Sequence, residues 1–270
     1  MKRSAILLFV LCCLALTSFA QREKPASETE LGEITARGKT LYDYDIAAWH
    51  STDAVIALSP PEGSFNSYIA VKNGGVWVVS YGKFDPGKTK FLTAYEATQQ
   101  QNPVEFKVQK FDNPKEDTGN LFFAAKAMET AKTEFGKKDR PYNAAVLPAK
   151  DGQFYVYLLP AQTVAGTFPL GGDVRYLISK DGSKIVETRQ LHKSIIEFKV
   201  ADNGEKPVTG YHTAIMDDVP EDTDVFHVLA REPSIPEIVI SQKFVYNIAA
   251  DGSIRFLMTT EAFKKIGKKP

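Results

Sequence analysis

Two of the four histidines in this 270-residue chain are spaced so that they could share a metal ion. Residues 208–215 and 225–230 are rich in strand-forming types, and the acidic, proline-containing stretch 216–224 joins them. Read as an antiparallel hairpin centred between Val219 and Pro220, they set His212 directly opposite His227. Directly opposed Cβ atoms lie about 4.5–5.5 Å apart, close enough for two imidazoles to hold one ion. Asp218 points to the same side if the strand parity persists into the turn. Two imidazoles and a carboxylate suit zinc, or a similar divalent ion, with one position left open for an activated water and hydrolysis. A shift of one residue in register would separate the pair. Val225 and Leu229 share the face of His227, so a partly buried histidine without metal is the favoured reading. In the same scheme His192 falls on the opposite face and stays outside the site.

The joining stretch carries Asp217, Asp218, Glu221, Asp222 and Asp224. Oxygen ligands of this kind suit calcium, but the Asp-x-Asp-x-Asp-Gly order is missing and Pro220 constrains the turn, so a solvated acidic loop is expected. No cofactor is expected, with zinc or calcium as the alternatives. A second candidate is residues 161–172, long for a link between antiparallel strands and unusually apolar. Phe168 and Leu170 could close over an apolar ligand, with Gly166, Gly171 and Gly172 as hinges. The competing reading, which is favoured, packs Phe168 over an open sheet end. Asp173 and Arg175 alternate with Val174 and Tyr176 and read as a solvent-facing pair. The serine-hydrolase elbow, the His-Glu-x-x-His zinc helix, the phosphate-binding loop and the dinucleotide fingerprint are all absent.

These side chains must be carried by a β-rich body. Helical periodicity marks residues 30–49, weakened by Gly32 and Gly38, and residues 120–135. Strands are expected at 68–72, 76–81, 90–97, 104–111, 174–179, 185–200, 208–215, 225–230, 238–241, 244–249 and 254–259. Asn73-Gly74, Asp151-Gly152, Asp181-Gly182 and Asp251-Gly252 supply turn chemistry for tight hairpins, with Asn203-Gly204 as a fifth site. The expected class is α+β and β-rich. Its antiparallel sheets would form a sandwich or a strongly curved sheet, with two helices in the N-terminal half. An α+β part over 30–140 and an antiparallel β part over 141–262 would share one domain or form two, the break lying near the basic stretch 137–141. Residues 21–29 read as a flexible leader and 263–270 as a basic tail.

Residues 1–20 have the composition of a secretory signal: Lys2 and Arg3, an apolar run from Ala5 to Leu16, then Ser18-Phe19-Ala20 as a cleavage site before Gln21. The expected location is periplasmic or extracellular, for a soluble protein of bacterial type. Both cysteines, Cys12 and Cys13, fall inside that signal, so the mature chain would have no disulfide and no thiolate. The 33 basic and 33 acidic residues leave a net charge of −2 once Lys2 and Arg3 are removed, which argues against nucleic acid as a partner. No later stretch is long and apolar enough for a stable membrane anchor. With no catalytic motif, the sequence favours a non-catalytic binding or interaction module taking a small apolar ligand or a protein partner. A metal-dependent hydrolase built on the histidine pair and a scaffold or assembly subunit are the alternatives.

Overall fold

Ser27 sets the start of the first helix. Its hydroxyl accepts the Glu30 N–H at 3.2 Å, and α1 then runs over Glu28–Ile56. The computed structural model describes residues 22–199 and 208–266. The leader expected over 21–29 is therefore partly ordered: the Ala26 N–H donates to the Tyr246 hydroxyl at 3.0 Å, and Lys243 reaches the Arg22 carbonyl at 2.8 Å. Residues 1–20 and the Asn203-Gly204 turn lie outside the described residues.

The first sheet is an antiparallel meander of β1 (Ser67–Asn73), β2 (Val76–Phe84), β3 (Phe91–Gln99) and β4 (Phe106–Asp117), in that order. Gly74 and Gly75, at φ 56° and 90°, make the first turn, where only glycine is unstrained at both positions. β1 is an edge, so only one strand of that hairpin is interior. β4 continues to Asp117, beyond the expected strand 104–111. After α2 (Asn120–Phe135), a second antiparallel sheet forms from β5 (Tyr142–Pro148), β6 (Phe154–Pro160), β8 (Val174–Ile178) and β9 (Ile185–Gln190). β7 (Thr167–Leu170) instead pairs with β10 (Ile196–Lys199) as a separate ribbon. A third sheet follows the order β11 (Gly210–Thr213), β12 (Glu237–Ile240), β13 (Phe244–Ile248), β14 (Ile254–Thr259), with β11 and β12 parallel. α3 (Asp222–Ala230) connects β11 to β12, and α4 (Thr260–Ile266) takes up part of the expected tail. The class is α+β and β-rich, mostly antiparallel.

Three expectations are corrected. Residues 225–230 are helix, not strand, so β11 has no hairpin partner there and the cross-strand opposition of His212 and His227 disappears. The run 185–200 breaks after Gln190, with a bend at Lys193-Ser194. Residues 167–170 are strand, which shortens the loop expected over 161–172.

One buried cluster runs from Leu41 to Leu191 and joins α1, the first sheet, α2 and the second sheet across residues 137–141. A second gathers Leu31 and Ile34 of α1, Val225 and Val228 of α3, and Val239, Tyr246 and Ile248 of the third sheet. α1 thus serves both. Its Gly38 is the crossing point with α3: a Cβ there would lie 2.5 Å from the Asp222 carbonyl and the Val225 Cβ. Gly38→Ala should therefore cost about 1–3 kcal/mol by overpacking. Gly32→Ala, with nothing within 4 Å, should instead stabilise by up to ~1 kcal/mol. Urea unfolding of the two variants checks the contrast, and equal signs would contradict the close crossing. Among the described residues no helix is long and apolar enough to cross a membrane.

Candidate metal centre

α3 begins with an acidic first turn, favoured by the positive end of the helix dipole. The Glu221 N–H donates to Asp224 Oδ2 at 2.7 Å, one half of a capping box. That bond fixes the Asp224 side chain and turns its other oxygen, Oδ1, away from the helix end. Two imidazoles meet it there. His192 Nε2 lies 3.0 Å away and His212 Nε2 3.1 Å.

His192 follows β9. The β8–β9 pairing extends past Val174 and Gln190 through the Leu191 N–H, which donates to the Asp173 carbonyl at 3.1 Å. This brings Asp173 and His192 together at the open end of the hairpin, with His192 Nδ1 2.9 Å from Asp173 Oδ1. His212 lies on β11, beside β12. Its Nδ1 is 2.9 Å from Glu237 Oε1. Glu237 reaches it across Gly210, its register partner; a Cβ on Gly210 would run into that carboxylate and into the Arg231 guanidinium. Arg231 closes the chain at 2.8 Å from Glu237 Oε2.

His192 Nε2, His212 Nε2 and Asp224 Oδ1 are all buried, and none has a hydrogen-bond partner of acceptable geometry. The three ligand atoms lie within 4.8 Å of one another. Tetrahedral zinc, with bonds of about 2.0–2.1 Å, would hold such atoms roughly 3.3–3.4 Å apart. Each ring's other nitrogen meets a carboxylate, the arrangement that fixes the tautomer and orientation of a metal-binding histidine. A small cleft of about 120 Å³ reaches both histidines and is walled by Leu170, Gly171, Lys193, Ser194, Thr213 and Met216.

Charge makes the same point. Asp173, Asp224 and Glu237 are at most 1% exposed, against one buried guanidinium on Arg231. Two negative charges therefore remain to be balanced, by two imidazolium protons or by one divalent ion. Without metal, burial works to lower His212, but Asp224 and Glu237 outweigh it and raise it to about 9. His192 is likewise disfavoured by burial yet driven well above its ordinary value by Asp224 and Asp173. Burial would raise Asp224; the two rings hold it well below the usual carboxylate range.

Of the residues singled out in the sequence, His212 enters this cluster, joined by His192 and Asp224. His227 lies one turn beyond Asp224 on α3, its ring 4.8 Å from that of Phe198; burial and then Arg231 push it down to about 3. Asp218 is buried in the preceding loop, where it accepts the Lys243 N–H at 3.1 Å. The loop expected to be solvated is thus largely interior. Arg189 holds Glu221 at 2.6 Å and Asp217 at 2.8 Å. Asp173 and Arg175 face inward as well, toward His192 and Asp222. Phe168 and Leu170 line different clefts, Leu170 the one over the histidines and Phe168 one beside α1. Comparison with protein-family models, with curated proteins and with solved structures finds no match to this chain.

Proposed function

We propose that the protein is a metal-dependent hydrolase whose ion, zinc in the first instance, is held by His192, His212 and Asp224. The observation that carries the reading is the convergence of two imidazole Nε2 atoms on one carboxylate oxygen, each ring backed by its own buried carboxylate. Three protein ligands leave a fourth position free, as in catalytic rather than structural zinc sites. The cleft above the histidines is where substrate would approach it. Zinc there supplies Lewis-acid activation of water near neutral pH. Asp173 and Glu237 keep the two rings oriented, and Arg231 keeps Glu237 in place. The same proposal places the protein outside the cytoplasm, on the secretory signal read in residues 1–20.

Elemental analysis of protein purified without chelator should find about one zinc per chain. His192→Ala and Asp224→Ala should each lower zinc affinity by at least 100-fold. His227→Ala, which removes a histidine of the same helix outside the convergent set, should leave metal content unchanged. Ester and peptide substrates should be turned over by the zinc-loaded form and not after chelation. Absence of stoichiometric metal in the native protein, together with no gain in thermal stability on adding zinc, would falsify the reading.

A further inference from the structure

Apart from the histidine cleft there is a larger one, about 820 Å³ in its main part, between α1, the loop before β7 and the end of α3. Its walls are aromatic and acidic. Trp49 stands 59% exposed at its rim, stacked on His50 with ring centroids 4.9 Å apart. Phe168 faces it from β7, and Tyr42 and Tyr68 contribute from either end. Asp45, Asp53 and Glu232 supply three carboxylates. Among the described residues, no lysine or arginine lines either portion of the cleft.

Asp45 is the informative member. It has no hydrogen-bond or ion-pair partner among the described residues. It is enclosed by α1 and the cleft walls yet still reached by solvent, and burial alone pushes its carboxyl up to about 6. Three other enclosed carboxylates are answered by a cation: Asp222 by two arginines, Glu237 by Arg231 and Glu221 by Arg189. The cleft floor also holds a second unpartnered group. His227 is 3% exposed, lines the cleft, and its Nε2 has no hydrogen-bond partner. An exposed indole beside one enclosed carboxylate, Asp45, and two exposed ones, Asp53 and Glu232, is the chemistry that recognises organic cations, through ring faces for the carbon-bound charge and carboxylates for its field.

We propose that this cleft binds a small organic cation, an amine or quaternary ammonium compound, with its charge between Asp45 and Glu232 and its carbon skeleton against Trp49 and Phe168. The site is separate from the histidine cluster and does not depend on metal.

Choline and spermidine are the probes, with 3,3-dimethylbutan-1-ol as the neutral isostere of choline. Binding to the full-length mature chain is followed by calorimetry and by tryptophan fluorescence. At least one of the two cations should bind with a Kd below about 1 mM and perturb Trp49 emission, and the neutral alcohol should bind at least 10-fold more weakly. Asp45→Asn should weaken the cation at least 10-fold. Trp49→Ala, a change at an exposed position that leaves folding intact, should weaken it about 5-fold or more. Zinc content should be unchanged in both variants, which separates this site from the metal centre. Failure of both cations to bind at 10 mM overturns the proposal, as does equal binding of the alcohol or undiminished binding by Asp45→Asn. Choline binding without spermidine binding assigns the site to quaternary ammonium, and the reverse assigns it to amines.

Discussion

Stripped of divalent metal, the protein should lose stability as pH rises from about 6.5 toward 9, and zinc should abolish that loss. The cause is the buried charge balance around Asp224. The metal-free cluster stays neutral only while His192 and His212 are both protonated. His212 is raised from 6.5 to about 9 in the folded chain. A raised folded value contributes stability that is fully present below the unfolded value and is lost as pH climbs through the folded one. For His212 alone the shift is worth on the order of 3 kcal/mol. In a domain of this size that is roughly 6–12 °C in Tm. His192, raised in the same direction, adds to the loss at still higher pH. Asp224 works the other way: its stabilising charge is lost only as pH falls well into the acid range. Zinc takes the place of the two protons and needs both rings neutral. Its affinity should therefore climb up to about 100-fold per pH unit below the raised histidine values, and calorimetry in buffers of different ionisation enthalpy should count about two protons released per ion near pH 7. Thermal melts of chelated and zinc-loaded protein between pH 6 and 9.5 settle the matter. A chelated protein as stable at pH 9 as at pH 6.5 would mean the two rings are not charged inside the fold.

The fold class was legible in the sequence because its carriers are local. Asn73-Gly74 and Asp251-Gly252 sit between runs of β-branched and aromatic residues, and the stripe Leu121, Phe122, Ala125, Met128 places α2 at its observed bounds. The metal centre was legible only through His212. Its two partners are hidden by two elements whose local signals mislead. Val225, Phe226 and Val228 are strand-forming types, so local propensity favours a strand over 225–230. The competing signal was present: Pro220, then Glu221 with Asp224 three residues on, the spacing of a helix N-terminus. Reading that turn as a helix start puts Asp224 on its first turn and removes the hairpin that set His227 opposite His212. His192 falls on the opposite face if 185–200 is one unbroken strand, and the bend at Lys193-Ser194 has no strong sequence mark. The inward orientation of Asp173 and Arg175 was beyond local reading altogether. Their partners, His192 and Asp222, lie 19 and 47 residues away in the chain.

Asp222→Ala should be among the most destabilising single changes in the molecule, at about 3–5 kcal/mol, and should weaken zinc binding as well. The carboxylate is 1% exposed. It ties three elements to the start of α3. Arg37 of α1 donates through Nε at 2.9 Å, Arg175 of β8 through Nη1 at 2.5 Å, and the Tyr157 hydroxyl of β6 at 2.7 Å. Burial works to lower Arg175, but Asp222 outweighs it, so the guanidinium stays charged. Removing the carboxylate leaves that charge enclosed with the face of Tyr155, 4.7 Å away, and the neutral Tyr157 hydroxyl beside it, and no anion to answer it. Arg37, at 30% exposed, is different: solvent can answer its charge, and Arg37→Ala should cost about 1 kcal/mol or less. Tyr157→Phe removes one hydrogen bond and should cost about 1 kcal/mol. Asp222→Asn keeps the shape and the tyrosine bond but not the charge, and should fall between. The link to function is short, because Asp224 stands two residues on in the same turn. A loosened turn lets its Oδ1 drift from the two rings, so zinc affinity should fall in Asp222→Ala even under conditions where the variant is folded. Urea unfolding and zinc titration of the four variants give the ordering. If Asp222→Ala costs no more than Arg37→Ala, α3 is anchored by its apolar contacts with α1 and the third sheet, and the carboxylate is merely accommodated.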